Sequence, residues 1–165
     1  MSKTKLGQVV FPPKGYELIE TINIEAGVSA VSRNLEPDGT KFNFREAMIT
    51  ADFAASTNTG DLAIYYFYNT DYSGCIQSWF INPYKNGKAT KGFSKIWNNG
   101  GFWETGIWQC VNGSGDTGIR YDNPYYNGRF PAVEGKGISS IMVKGGLSAT
   151  TISAGTVIKI YAIRF

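Results

Sequence analysis

The residues with the clearest potential for ligand binding are aromatic side chains in or beside Gly-, Asn- and Pro-rich segments between residues 72 and 126. An aromatic ring packs well against the C–H face of a sugar, while neighbouring amides and carboxylates hydrogen-bond the sugar hydroxyls. Most of these rings are expected to fill a core or a subunit interface instead. Six residues are candidates for carbohydrate binding because polar residues and glycines lie close to them in the sequence: Trp97, Trp103, Tyr121, Asp122, Tyr125 and Tyr126.

Two further kinds of chemistry have weaker support. Glycoside hydrolysis needs a pair of carboxyl groups, and the pairs Glu104 with Asp116, or Asp116 with Asp122, lie near aromatic residues. Carboxylates that cap turns or face water explain these positions more simply. The stretch 112–116 with Asp122 and Asn123 supplies oxygen ligands for a hard cation, but it matches no EF-hand loop and is better explained as a glycine-rich loop. No catalytic residue, metal or cofactor is predicted.

Composition excludes several functional classes. The chain contains no histidine and two cysteines, Cys75 and Cys110, without CxxC spacing. This removes Ser-His and Cys-His nucleophiles and leaves no ligand set for zinc. Reduced, buried thiols are favoured over a single disulfide. The 16 basic residues are scattered and the net charge is only +3, so nucleic acid is not an expected partner.

The N-terminal segment, residues 1–15, combines lysines with Pro12, Pro13 and two glycines, a composition typical of an extended arm. It lacks the apolar run of a secretory signal, so synthesis in a cytoplasm is expected. The longest apolar stretch, residues 62–68, is about a third of the length that spans a bilayer, so no membrane insertion is predicted. Residues 16–165 are expected to form one domain.

Alternating and β-branched patterns predict strands along this domain. Residues 18–24, 28–33, 61–69, 137–143 and 156–165 all have strand-like composition. Residues 42–53 fit either a short helix or a strand with an irregularity, and the strand is favoured. Four Asn-Gly pairs between residues 86 and 128 indicate short strands and long loops. No segment has a sustained helical period, so the predicted fold is all-β, an antiparallel two-sheet sandwich resembling a jelly roll.

Both ends of this domain resemble β-sandwich modules in the virion proteins of tailed bacteriophages. At the first end the resemblance lies in residues 16–22 (YELIETI) and 31–44 (VSRNLEPDGTKFNF), within a similar region 16–53. At the other, region 138–165, residues 155–164 (GTVIKIYAIR) are similar to a G-T-x-I-x-I-Y-G-x-R ending, with Ala162 in place of the usual glycine. The middle of the chain carries no such resemblance.

The resemblance implies a non-enzymatic virion protein on a tail fibre, baseplate or capsid. It also implies a homo-oligomer, with a trimer expected, attached to other virion proteins through residues 1–15. Together with the aromatic middle it predicts binding to a host-surface saccharide. The alternative is a capsid decoration or head-fibre protein with a purely structural role and no ligand. A small glycan hydrolase is a third, less favoured hypothesis.

Overall fold

The structure is a computed structural model of the 165-residue chain. It describes residues 14–35, 44–56, 60–67, 75–80, 83–84, 90–99, 102–111, 119–120, 130–131, 137–146 and 151–164. Within these ranges the regular structure is entirely β-strand. The strands are β1 (Glu17–Asn23), β2 (Ala30–Asn34), β3 (Phe44–Phe53), β4 (Leu62–Phe67), β5 (Cys75–Phe80), β6 (Thr90–Asn99), β7 (Phe102–Val111), β8 (Ile119–Arg120), β9 (Phe130–Pro131), β10 (Ser140–Gly145) and β11 (Val157–Arg164).

The strands form two antiparallel sheets. The larger, seven-stranded sheet has the order β1-β11-β3-β6-β7-β8, with β9 also paired to β7, and the smaller sheet has the order β2-β10-β4-β5. The segments β1-β11-β3-β6 and β2-β10-β4-β5 together have the strand order of a jelly roll, a double-sheet fold built from two Greek keys. Strands β7, β8 and β9 lie outside that arrangement and extend the larger sheet. The all-β sandwich prediction is therefore confirmed.

Side chains that point alternately into and out of the sandwich explain why the two sheets pack against each other. In β3 the side chains of Ala47, Ile49, Ala51 and Phe53 are buried and face the smaller sheet. In a strand, successive side chains point to opposite faces, so the intervening residues of β3 lie on the outer face of the larger sheet. Strand β11 repeats the pattern with three further residues in the core, namely Ile158, Ile160 and Ala162.

An aromatic cluster links the two sheets inside the sandwich. The Phe53 ring of β3 lies 5.1 Å from that of Phe80 in β5 and 5.5 Å from that of Tyr84, which follows β5. Both pairs are edge-to-face, with interplanar angles of 76° and 81°, an arrangement that the aromatic quadrupole favours. Phe53 therefore holds the larger sheet against the end of the smaller one.

The hydroxyl of Tyr84 satisfies polar groups in the turn that precedes β11. It accepts a 2.9 Å hydrogen bond from the backbone N–H of Ser153 and lies 3.0 Å from the hydroxyl oxygen of Thr156. Tyr84 and Thr156 are 1% and 0% exposed, so this network has no access to solvent. A buried donor without a partner costs free energy, and the Tyr84 hydroxyl removes that cost.

A second polar link joins the sheets at their first strands. The Nε atom of Arg33 in β2 donates a 2.8 Å hydrogen bond to Oε1 of Glu20 in β1. Glu20 and Arg33 lie opposite Ile160 and Ile141, whose side chains are in the core, so both charged side chains are on the inward side of their sheets. They retain partial exposure, 36% and 39%, because the sandwich is open there.

Several sequence predictions can be compared with these strands. Residues 42–53 were expected to form an irregular strand; β3 is a strand, and its pairing with β11 shifts register where Ile163 faces Glu46 and Arg164 faces Phe44. The run of aromatic residues at 65–68 predicts a strand in a central position with both faces covered, and β4 does lie between β10 and β5. The sequence of residues 36–39, Glu-Pro-Asp-Gly, predicts a tight turn after β2, and these residues lie outside the described part of the chain.

The prediction of short strands throughout the middle of the chain is wrong for β6 and β7. Each has ten residues, and together they form a continuous antiparallel hairpin that reverses between Asn99 and Phe102. The Asn-Gly pair at 99–100 therefore does mark a chain reversal, but it joins long strands. The other three Asn-Gly pairs lie outside the described residues. Of the predicted arm, the structure describes only residues 14–15, so the arm stays a prediction.

Candidate functional site

The six predicted carbohydrate-binding residues differ in how much of each one the structure describes. Trp97 lies in β6 with its side chain partly exposed. Trp103 lies in β7, opposite Asn98, and only its backbone is described. The other four predicted residues, Tyr121, Asp122, Tyr125 and Tyr126, lie outside the described residues. Although Gly- and Asn-rich neighbours flank Trp97 and Trp103, both residues belong to strands of the long β6–β7 hairpin and not to loops.

Trp97 belongs to a group of side chains on the outer face of the larger sheet, which we call the outer-face cluster: Tyr16, Glu46, Lys95 and Trp97. Glu46 and Trp97 are directly opposite each other in the β3–β6 pair, and Lys95 is two residues before Trp97 on the same face. Tyr16 immediately precedes β1. Three segments that are distant in sequence thus contribute to one surface.

The cluster is held together by its own polar contacts. The Tyr16 hydroxyl donates a 2.8 Å hydrogen bond to Oε2 of Glu46, and the Lys95 ammonium lies 3.0 Å from the same oxygen. The Lys95 ammonium is also 5.5 Å from the ring centroids of both Tyr16 and Trp97. A cation over an aromatic face is attracted by the ring quadrupole, so Lys95 stabilises both rings in place.

Electrostatics keep Glu46 ionised. Partial burial raises the pKa of its carboxyl group, but the hydrogen bonds from Lys95 and Tyr16, aided by the charges of Lys95 and Arg45, outweigh burial and lower the pKa below its ordinary value. Tyr16 responds in the opposite direction: burial, followed by its hydrogen bond to the Glu46 carboxylate, raises the pKa of the phenol well above its usual range. At neutral pH the cluster therefore contains a carboxylate, an ammonium and a neutral phenol.

The lowered pKa of Glu46 predicts a pH-dependent stability. A carboxyl group whose pKa is lower in the folded state contributes stability above its ordinary pKa of 4.5, and this contribution is lost as the pH falls through the folded-state pKa. The loss of unfolding free energy caused by Glu46→Gln should therefore be larger near pH 7 than near pH 3, as measured by urea denaturation at about these two pH values.

Asp52→Asn is the matched control for this experiment. Asp52 lies on the same outer face of β3 and pairs with Lys91 at 3.2 Å, but their side chains are 58% and 68% exposed. An ion pair so exposed to solvent contributes little, so the control should change stability only slightly at either pH. A Glu46→Gln effect of equal size at the two pH values would contradict the assignment.

Sequence reasoning missed Tyr16, Glu46 and Lys95. One signal was present: residues 91–97 alternate strictly, with Lys91, Phe93, Lys95 and Trp97 at one parity and small or apolar residues at the other. That pattern places Lys95 beside Trp97 on one face. Nothing local connects Tyr16 or Glu46 to them, because the Tyr16–Glu46 contact spans 30 residues and depends on the strand order.

Other chemical features of the described residues are few. These residues contain no group of three or more His, Cys, Asp or Glu side chains placed to hold a metal ion. Cys75 carries a free, partly buried thiol, and burial raises its pKa. Glu104 lies in β7 opposite Trp97, whereas its suggested partner Asp116 is outside the described residues. No helix in the described part of the chain is long and apolar enough to cross a membrane.

The architecture and the cluster define this chain as a jelly-roll β-sandwich with an aromatic and charged surface on the larger sheet. Comparison with known proteins adds no family, since the sequence matches no protein-family model and no curated protein. The fold and the outer-face cluster are therefore the features of this chain that bear on its function.

Proposed function

We propose that this chain is a non-enzymatic surface protein of a bacteriophage particle that binds a host cell-surface glycan. The observation that carries the proposal is the partly exposed Trp97 ring, fixed beside Glu46 and Lys95 on the outer face of a jelly roll. Jelly rolls are common in viral capsid proteins and in lectins, and an aromatic ring with adjacent charged hydrogen-bonding groups suits a saccharide.

The placement of Trp97 on a strand supports the binding role. A side chain on a paired strand is positioned more rigidly than one on a loop, so less conformational entropy is lost when it binds a ligand. The contacts of Lys95 with both rings and with Glu46 restrict the cluster further. The side chains of the cluster are thus already in position before a rigid, ring-shaped ligand binds.

Attachment and oligomerisation complete the proposal. Residues 1–15 anchor the sandwich to other virion proteins, and several copies, three in the simplest case, display the cluster together. A site that contacts a saccharide mainly through one aromatic ring binds it weakly in a single copy, but linked copies raise the effective concentration of each further contact. The particle therefore binds a cell much more tightly than one copy does.

The test is attachment of fluorescently labelled protein to a panel of bacterial strains before and after periodate oxidation of their surface sugars. We expect saturable, periodate-sensitive binding that Trp97→Ala weakens by about ten-fold or more, the usual effect of removing a central aromatic residue from a binding surface. Tyr65→Ala is the matched control because Tyr65 is a partly buried ring on the outer face of the other sheet, and this variant should bind normally.

Other outcomes would contradict the proposal in distinct ways. Binding that survives Trp97→Ala would place the ligand elsewhere. Release of reducing ends from a host polysaccharide would show that the protein is an enzyme. A folded protein that binds no strain would support the second candidate, a structural decoration protein, which the mutual pairing of Tyr16, Glu46 and Lys95 also favours. Particles lacking such a protein would stay infectious but lose resistance to heat or osmotic shock.

A further inference from the structure

The Lys95–Glu46 pair of the outer-face cluster is nearly neutral, and Glu104 of β7, directly opposite Trp97, adds a second carboxylate beside the ring. The Lys95 ammonium, the only cation of the cluster, lies 3.0 Å from the Glu46 carboxylate, and the side chains are 31% and 23% exposed. At this distance the two opposite charges largely cancel for a ligand outside the pair. An acidic sugar would gain little from Lys95, and its own carboxylate would lie close to that of Glu46.

Glu46 nevertheless offers a strong hydrogen-bond acceptor. The Tyr16 hydroxyl and the Lys95 ammonium both contact Oε2, so Oε1 takes no part in either interaction. Glu46 lies directly opposite Trp97 across the β3–β6 pair, and side chains of such a pair are close neighbours on one face. A group that contacts the Trp97 ring is therefore within the neighbourhood of a carboxylate oxygen.

From this arrangement we infer that the ligand class is a neutral, hydroxyl-rich saccharide rather than an acidic one. A neutral hexose presents a C–H face to the Trp97 ring and an O–H group that donates to Oε1 of Glu46. This inference rests on the proposed glycan-binding function, and it names the class of glycan that the same site accepts. Specificity comes from one ring and one acceptor, and net charge contributes little.

The test uses an array of neutral and acidic oligosaccharides probed with wild-type protein, Glu46→Gln and Asp52→Asn. Wild-type protein should bind neutral glycans, with little change between about 0.05 M and about 1 M salt, because screening affects charge–charge attraction most. Glu46→Gln should weaken this binding by about ten-fold or more, since a hydrogen bond to a charged acceptor is replaced by a weaker one. Asp52→Asn makes the same change of charge on the same face and should bind normally.

The Glu46→Gln substitution should change the binding of acidic glycans in the opposite direction. Glu46→Gln releases Lys95 from its partner, so any binding of acidic glycans should increase and should fall with salt. Trp97-dependent, salt-sensitive binding of wild-type protein to acidic glycans alone would overturn the inference and leave the proposed function intact. Absence of binding to any glycan on the array or to any cell would overturn the proposed function, and the inference with it. Urea denaturation of each variant checks that its fold is retained.

Discussion

Replacement of Phe53 by alanine is expected to lower the free energy of unfolding by about 3–5 kcal/mol, the usual cost of truncating a buried phenylalanine. Phe53 is 2% exposed and contacts rings from the end of the smaller sheet, so its removal leaves a cavity between the layers. Small domains have about 5–15 kcal/mol of stability in total, and this single change would therefore remove a large share. Urea denaturation followed by tryptophan fluorescence measures it.

Two further variants test whether the loss of stability is specific to the buried Phe53 ring. Asp52→Ala changes the neighbouring residue of β3, whose exposed side chain points outward, and should cost less than about 1 kcal/mol. Phe53→Leu retains much of the apolar volume and should be destabilised less than Phe53→Ala, so it remains measurable if the alanine variant does not fold. Similar stabilities for Phe53→Ala and Asp52→Ala would show that the aromatic cluster is not central to the core.

The second large effect is expected from Tyr84→Phe, which removes one oxygen atom. The variant leaves the Ser153 N–H without its 2.9 Å acceptor and deprives the Thr156 hydroxyl of its 3.0 Å partner in a fully buried position. An unsatisfied buried polar group costs about 1–3 kcal/mol, so we expect a loss in this range with little change in the aromatic packing.

Tyr65→Phe provides the control because it is the same chemical change on a partly buried ring outside the core. It should alter the free energy of unfolding by less than about 0.5 kcal/mol. Thermal or urea denaturation of both variants gives the comparison. If Tyr84→Phe were as stable as wild type, the turn before β11 would not depend on the Tyr84 hydroxyl.

The fold class could be predicted from the sequence because local patterns determine much of it. Alternation in β11 indicates which residues face the core, and the absence of helical periodicity excludes the other main fold classes. The lengths of β6 and β7 could not be predicted in the same way. Glycines at 92 and 106 and the dense aromatic residues between them resemble loop composition, although sheet pairing on both strands holds them extended.

The candidate site was predictable only in part, for a related reason. Trp97 stands out by residue type, but its neighbours Tyr16 and Glu46 come from segments that only the strand order β1-β11-β3-β6 brings near it. Register between strands 30 or more residues apart depends on the packing of the whole core, and single-sequence patterns contain little information about it. The polar partners of an aromatic residue are therefore harder to predict than the residue itself.

The ion pair between Glu20 and Arg33 has a consequence for how copies of this protein associate. Strands β1 and β2 are the outermost strands of their sheets on the same side of the sandwich. An exposed strand edge is a template for addition of a strand from another chain, and inward-pointing charges are one means by which natural sheets resist this addition. A foreign strand added at this edge would have to bury Glu20 and Arg33, so edge-to-edge association of copies through β1 and β2 is disfavoured.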